Sequence, residues 1–262
     1  MFEKFLEEIE ISRERKTFLQ YKRILKIFEN KEVSTETAKE IMAMEISMNT
    51  KKQYLSTWIR ALKYCDIECG NVAKFVKNLR TQEKVPVSPQ KDDVEHVITF
   101  IHDPKIKLAV GLMAYSGLRI NEVTGIIAED VDLKNNRFVV RQTKNHTDRI
   151  CCINPKLKKL FVLWLNSEQR HKNRGVYLFN SPRGNKYSTS YFKDAVKRWC
   201  KQLGKEYLHC HAFRHYFATN FYQNSGSNIA LTARACGHKS INTTMKYVAT
   251  SLADMEKVVN KI

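Results

Sequence analysis

Gly117-Leu118-Arg119-Ile120-Asn121-Glu122-Val123 organises the reading of this chain: it ends an apolar helical run from Ile106 to Tyr115 and sets Arg119 and Glu122 just beyond it. Further along, basic and protic residues recur in a fixed order. Lys144 stands in Thr143-Lys144-Asn145, then come His211-Ala212-Phe213-Arg214-His215, Gly237-His238 and finally Tyr247. The set meets the requirements of phosphoryl transfer to a tyrosine. Two arginines suit a phosphodiester, because the guanidinium is permanently charged and its planar fork matches phosphate oxygens. Lysine and histidine can manage protons, and a tyrosine, with an ordinary pKa of about 10, attacks where cations or a base favour the phenolate. His211 and Arg214 are spaced to share one helix face and address the same phosphate. With the positive charge supplied by the protein, no metal and no cofactor is expected.

Composition points to the same partner. The 262 residues hold 45 Lys+Arg against 27 Asp+Glu, a formal net charge of +18, so the surface is largely cationic and a nucleic acid, DNA first or RNA, is the matching polyanion, a balance that ribosomal and membrane-surface proteins share. Through Pro86 there are 17 basic and 13 acidic residues, against 28 and 14 after it, so the excess sits with the candidate site. The N-terminus, Met1 to Glu8, alternates charged and apolar residues, and no apolar run reaches membrane-spanning length. Seven scattered cysteines suit a reducing compartment. These features predict a soluble cytoplasmic protein.

The fold class expected is mainly α with a small antiparallel β-sheet, in two domains. Two prolines and several polar residues between Thr81 and Lys91 mark a linker, giving a helical domain over 1–83, a linker over 84–91 and a second domain over 92–262. In the first domain Phe18, Tyr21, Ile24, Leu25 and Phe28 recur at helical spacing, as do Tyr54, Trp58, Ala61 and Leu62, for four or five helices with Ser34 and Asn49 as N-caps. Asp92-Asp93-Val94-Glu95 opens a helix with an acidic first turn. Between Val131 and Ile153 the period changes: turns at Asn135-Asn136 and Asn145-His146-Thr147-Asp148 flank β-prone runs, with Lys144 beside the second turn. From Lys156 onward the pattern is helical again.

The ordered motifs resemble the tyrosine recombinase (phage integrase) family, whose catalytic domain runs Arg, Lys on a β-hairpin, His-x-x-Arg, His or Trp, and Tyr. The resemblance covers residues 88–262 by motif; the domain before the linker matches the family's core-binding domain in size and position. It implies a C-shaped clamp around DNA and site-specific strand exchange through a 3′-phosphotyrosyl intermediate. Arg119 and Arg214 would grip the scissile phosphate, Tyr247 would attack it and Lys144 would protonate the departing 5′ oxygen. His211 would assist at the nucleophile, His238 would hydrogen-bond a phosphate oxygen, and Glu122 and His215 would support the site. Phe213 stands where the family more often has leucine, and Ala235-Cys236 where a leucine is usual before Gly-His. A homotetramer on two duplexes is implied; Leu252, Met255, Val258 and Val259 share one side of a C-terminal helix from Leu252 to Ile262, a face suited to docking on a neighbour or to packing on its own domain. No arm-binding domain is expected ahead of the helical one.

Other readings stand beside this one. Arg119 can be a helix-end arginine that pairs with Glu122, and Tyr187, Tyr191, Tyr207, Tyr216 and Tyr222 compete with Tyr247. A zinc shell from His209, Cys210, His211, His215, Cys236 and His238 is the rival from another class. Against it, no Glu follows His211 and Arg214 would set a fixed cation beside the ion. Within the family's chemistry the roles open are integration and excision of a virus or mobile element, Xer-type resolution of chromosome or plasmid dimers, and relaxation of supercoils as in type IB topoisomerases. A non-catalytic DNA-binding descendant is disfavoured by the presence of all six residues.

Overall fold

A computed structural model describes residues 1–13, 15–79, 88–141, 148–173, 175–238 and 240–245. The chain divides into two compact units, Met1–Lys84 and Val85–Ile262. The described part of the first is helical: α1 (Glu3–Ser12), α2 (Arg15–Lys26), α3 (Thr35–Ala43), α4 (Met48–Tyr64) and α5 (Gly70–Asn78). The periodic apolar residues build its core, with Ile24, Leu25 and Phe28 meeting Leu55, Trp58, Ala61 and Leu62. Phe28 stacks on Trp58 at a centroid distance of 4.4 Å. Ser34 caps α3, its hydroxyl accepting the Thr37 N–H at 3.2 Å. The cap of α4 is Ser47, not Asn49. Ser47 keeps an extended backbone and accepts the Thr50 N–H, which leaves Asn49 inside the first turn.

The second unit opens with α6 (Lys91–Phe100), α7 (Pro104–Ser116) and α8 (Ile120–Thr124). Lys91, expected as the last linker residue, already begins α6, where Asp92 and Asp93 favour the helix N-terminus; residues 84–87 lie outside the described residues. Asp103 caps α7 and Pro104 pre-sets its first turn. Helix α7 is buried along nearly its whole length, from Ile106 to Ala114, which explains why its sequence is apolar without a polar face.

A three-stranded antiparallel sheet follows, in the order β1 (Val131–Asp132), β2 (Arg137–Val140), β3 (Arg149–Cys152). Asn136, at φ 52°, turns the chain between β1 and β2. The register pairs Phe138 with Cys151 and Val140 with Arg149. Phe138, Val140 and Cys151 face the core, so the alternation of the sheet puts Arg149 on that inward face too. Helices α9 (Pro155–Leu165), α10 (Glu168–Lys172), α11 (Thr189–Gln202), α12 (Cys210–Asn224), α13 (Ile229–Cys236) and α14 (Ile241–Met245) complete the unit, and α9 and α12 pack on α7.

The helical expectation after Lys156 fails over 175–188. That stretch is held instead by isolated bridges, Ile127 to Tyr177 and Asn180 to Lys186, because Pro182 and Gly184 at φ 76° enforce a turn. Among the described residues no helix is long and apolar enough to cross a membrane.

Candidate active site

Two helix ends create the site. Helix α7 stops at Gly117, φ 65°, and α13 stops at Gly237, φ 61°, both in the left-handed region that favours glycine. At the second, the Gly237 N–H donates to Arg234 O and the His238 N–H to Ala233 O, a Schellman closure that delivers His238 immediately after the helix. At the first, the reversal delivers Arg119, the N-cap of α8.

Glu122, in the first turn of α8, is the hub. Its Oε2 accepts the Arg119 backbone N–H at 2.6 Å and its Oε1 the Arg119 Nη1 at 3.1 Å. Arg149 closes on it with both nitrogens, Nη1 to Oε1 at 2.9 Å and Nη2 to Oε2 at 3.0 Å. Arg214 Nη1 lies 3.7 Å from Oε2. The Arg119–Glu122 pairing considered from sequence therefore exists, as one arm of a larger assembly. Burial pushes the Glu122 carboxyl up, but the fork of Arg149 and the charges of Arg149 and Arg119 outweigh it and hold the group below its usual range.

The two expected arginines are placed differently. The Arg119 side chain is 43% exposed and donates from Nη1 to Gly237 O at 3.0 Å. Arg214, on α12, is buried at 1% exposure; it donates from Nη1 to Gly117 O and from Nη2 to Cys236 O at 2.7 Å. Its cation thus sits at the C-terminal ends of both α7 and α13, where helix dipoles favour positive charge. Three guanidinium groups meet one carboxylate, so these four groups carry a formal charge of +2.

The histidines around them are neutral at neutral pH. His211 is held below the usual imidazole range by burial and then by Arg214, His209 and Arg119. Burial first, and neighbouring cations second, bring His215 and His238 down to about 4. The His211 and His215 rings meet edge to face at 4.3 Å, and His238 Nδ1 lies 2.7 Å from the hydroxyl of buried Thr244. Unfolding lets these imidazoles take up protons at pH values where the native state does not, so the stability they contribute is present above about pH 6.5 and is lost as pH falls toward 4. Glu122, with its lowered pKa, adds a loss in the same direction below that. The melting temperature should fall steadily from pH 7 to pH 4; a flat profile over that range would contradict these environments.

Arg119, Glu122, Arg214 and the Gly237-His238 segment are thus brought together, with His211 close enough to feel both arginines and His215 packed against it. Lys144 and Tyr247 lie outside the described residues, as does 252–262. Among the described residues, no group of three or more His, Cys, Asp or Glu side chains is gathered as a metal would need. Arg149 was missed from sequence. Its signal was the period-2 pattern, which puts a charged residue on the face of β3 shared with Cys151 and so demands a buried partner.

The phage integrase family model matches residues 89–253, and the chain belongs to that family. It is 31% identical over 193 residues to tyrosine recombinase XerA of Saccharolobus solfataricus, covering 70% of this chain and 62% of that protein. It is 28% identical over 212 residues to XerA of Pyrococcus horikoshii, covering 79% and 73%. The first relative is therefore matched over less than two thirds of its length. Among solved structures, the fold is similar to that of the Tn1549 transposon integrase in complex with transposon right-end DNA. The TM-score there is 0.80 at 18% identity, covering 98% of this chain and 97% of that one.

Proposed function

We propose that this chain is a site-specific DNA recombinase that cleaves and rejoins strands of double-stranded DNA. Tyr247 attacks a phosphodiester, the phosphorus–oxygen bond to the 5′ carbon breaks, and a 3′-phosphotyrosyl bond holds the strand until a 5′ hydroxyl from another strand reverses the step. The bond energy is retained, so no nucleotide is consumed. The observation that carries the proposal is the assembly of Arg119, Arg149 and Arg214 on Glu122 beside His238. A preorganised surplus of positive charge, with Arg149 and Arg214 largely buried behind the more exposed Arg119, stabilises the charge that builds on a pentacoordinate phosphorus.

In this reading Arg119 meets a non-bridging oxygen, and the buried charge of Arg214 reinforces it from behind. Neutral His238 donates a hydrogen bond to the phosphate from Nε2, the tautomer in which Nδ1 accepts from the Thr244 hydroxyl 2.7 Å away. Lys144 delivers a proton to the departing 5′ oxygen, and His211 assists proton removal from Tyr247. The helical unit serves as the core-binding domain and the second unit as the catalytic one. Exchange between two duplexes calls for four protomers, with 252–262 docking on a neighbour. Integration and excision of a virus or other mobile element is the role proposed. The Xer names of the first relatives favour a second, resolution of chromosome or plasmid dimers.

Duplexes recovered from a randomised pool by covalent capture test the proposal. With excess chelator and no nucleotide, the protein should become linked to DNA at a 3′ end. Linkage at a 5′ end, or free ends alone, would sink it.

A further inference from the structure

We propose that Arg149 is a positioning residue for cleavage, setting both Arg119 and His238 through two contacts of one guanidinium; the inference rests on the recombinase reading above. The first contact is the fork on Glu122, the carboxylate that also binds the backbone and side chain of Arg119. The second is against Gly237. A Cβ built there would lie 2.6 Å from Arg149 Nη1 and 3.0 Å from its central carbon, so the guanidinium passes directly beneath the Gly237 backbone. That peptide's carbonyl accepts from Arg119 Nη1, and the next residue is His238.

One planar group therefore fixes the spacing between the residues proposed to touch the phosphate. Arg149 is not itself placed to do so, since its side chain is 12% exposed and both terminal nitrogens are engaged by Glu122. Lysine cannot replace it, because an ammonium offers a point charge where the carboxylate is held by a two-pronged fork. Small displacements of positioned groups cost reactions dearly, about 100-fold for an ångström.

The test uses Arg149→Met and Arg149→Lys on a duplex captured by the parent protein from a randomised pool. It measures the single-turnover rate of covalent linkage at saturating DNA, the DNA dissociation constant and the melting temperature. Arg149→Met should slow linkage about 100-fold, with DNA affinity within about threefold of the parent, and Arg149→Lys should recover only part of the rate. In a Glu122→Gln background, Arg149→Met should add less than about threefold to the loss, because both act through one assembly. Linkage at the parental rate in Arg149→Met, equal losses in rate and affinity, or a full additional loss in the Glu122→Gln background would overturn the inference alone. A parent protein that captures no DNA would overturn the recombinase reading and this inference with it.

Discussion

Arg214→Ala should lower the rate of strand cleavage by about three orders of magnitude while weakening DNA binding by less than about tenfold. The asymmetry follows from where the side chain is. Arg214 is buried and ties Gly117 O at the end of α7 to Cys236 O at the end of α13. Those ends launch Arg119 and His238. Truncation removes one cation from the site and loosens the two segments that carry the others, whereas the proposed DNA contact would draw on the many other cations of a chain with net charge +18. It also strands two buried carbonyls at negative helix ends beside Glu122, at a cost of about 3–5 kcal/mol of stability. Arg214→Lys separates the two effects. It keeps the charge but cannot span both carbonyls as a fork, so it should fold better than the alanine variant and still cleave about 100-fold more slowly than the parent. Single-turnover cleavage with parallel binding and melting curves reads this out. Cleavage by Arg214→Ala within tenfold of the parent would show that the guanidinium is only a structural brace.

The second large effect is on stability. Gly117→Ala should cost about 3 kcal/mol or more, of which about 1–2 kcal/mol is the left-handed backbone and the rest a collision. At φ 65° a Cβ on Gly117 would lie 2.3 Å from Cδ1 of Phe217, a ring that cannot swing aside as the end of a flexible chain can. Gly226 is the control: its φ is 66°, yet nothing lies within 4 Å of the added carbon, so alanine there should cost about 1 kcal/mol. Urea unfolding of the two variants measures the difference. Equal costs would mean that the α7 end is not packed against α12 as described.

Much of this was legible in the sequence because local rules and tertiary packing agree. The apolar run ending at Gly117, the Ser34 cap and the Asn135-Asn136 turn each follow from propensities that the structure retains. Where two residues could do the same local job, sequence alone chose badly: Ser47 and Asn49 are both good caps, and the better placed backbone decided. The turn over 175–188 was lost inside a helical reading because its cue, Pro182 with Gly184, is short and lies between two strong helices. In the candidate site, the order of motifs singled out Arg119, His211, Arg214 and His238, which the fold gathers, but not the burial of Arg214, which depends on two helix ends meeting around α12. Arg149 escaped for a related reason. An arginine in a β-prone run reads as an exposed edge residue until the register with Val140 turns it inward.

The most direct test of the central claim is covalent trapping of the parent protein and of Tyr247→Phe on a captured duplex, resolved on a denaturing gel with the DNA labelled at either end. A 3′-linked protein–DNA species in the parent, absent from Tyr247→Phe and still formed by Tyr222→Phe, is the expected result. Linkage that persists undiminished in Tyr247→Phe would assign the nucleophile elsewhere and contradict the account.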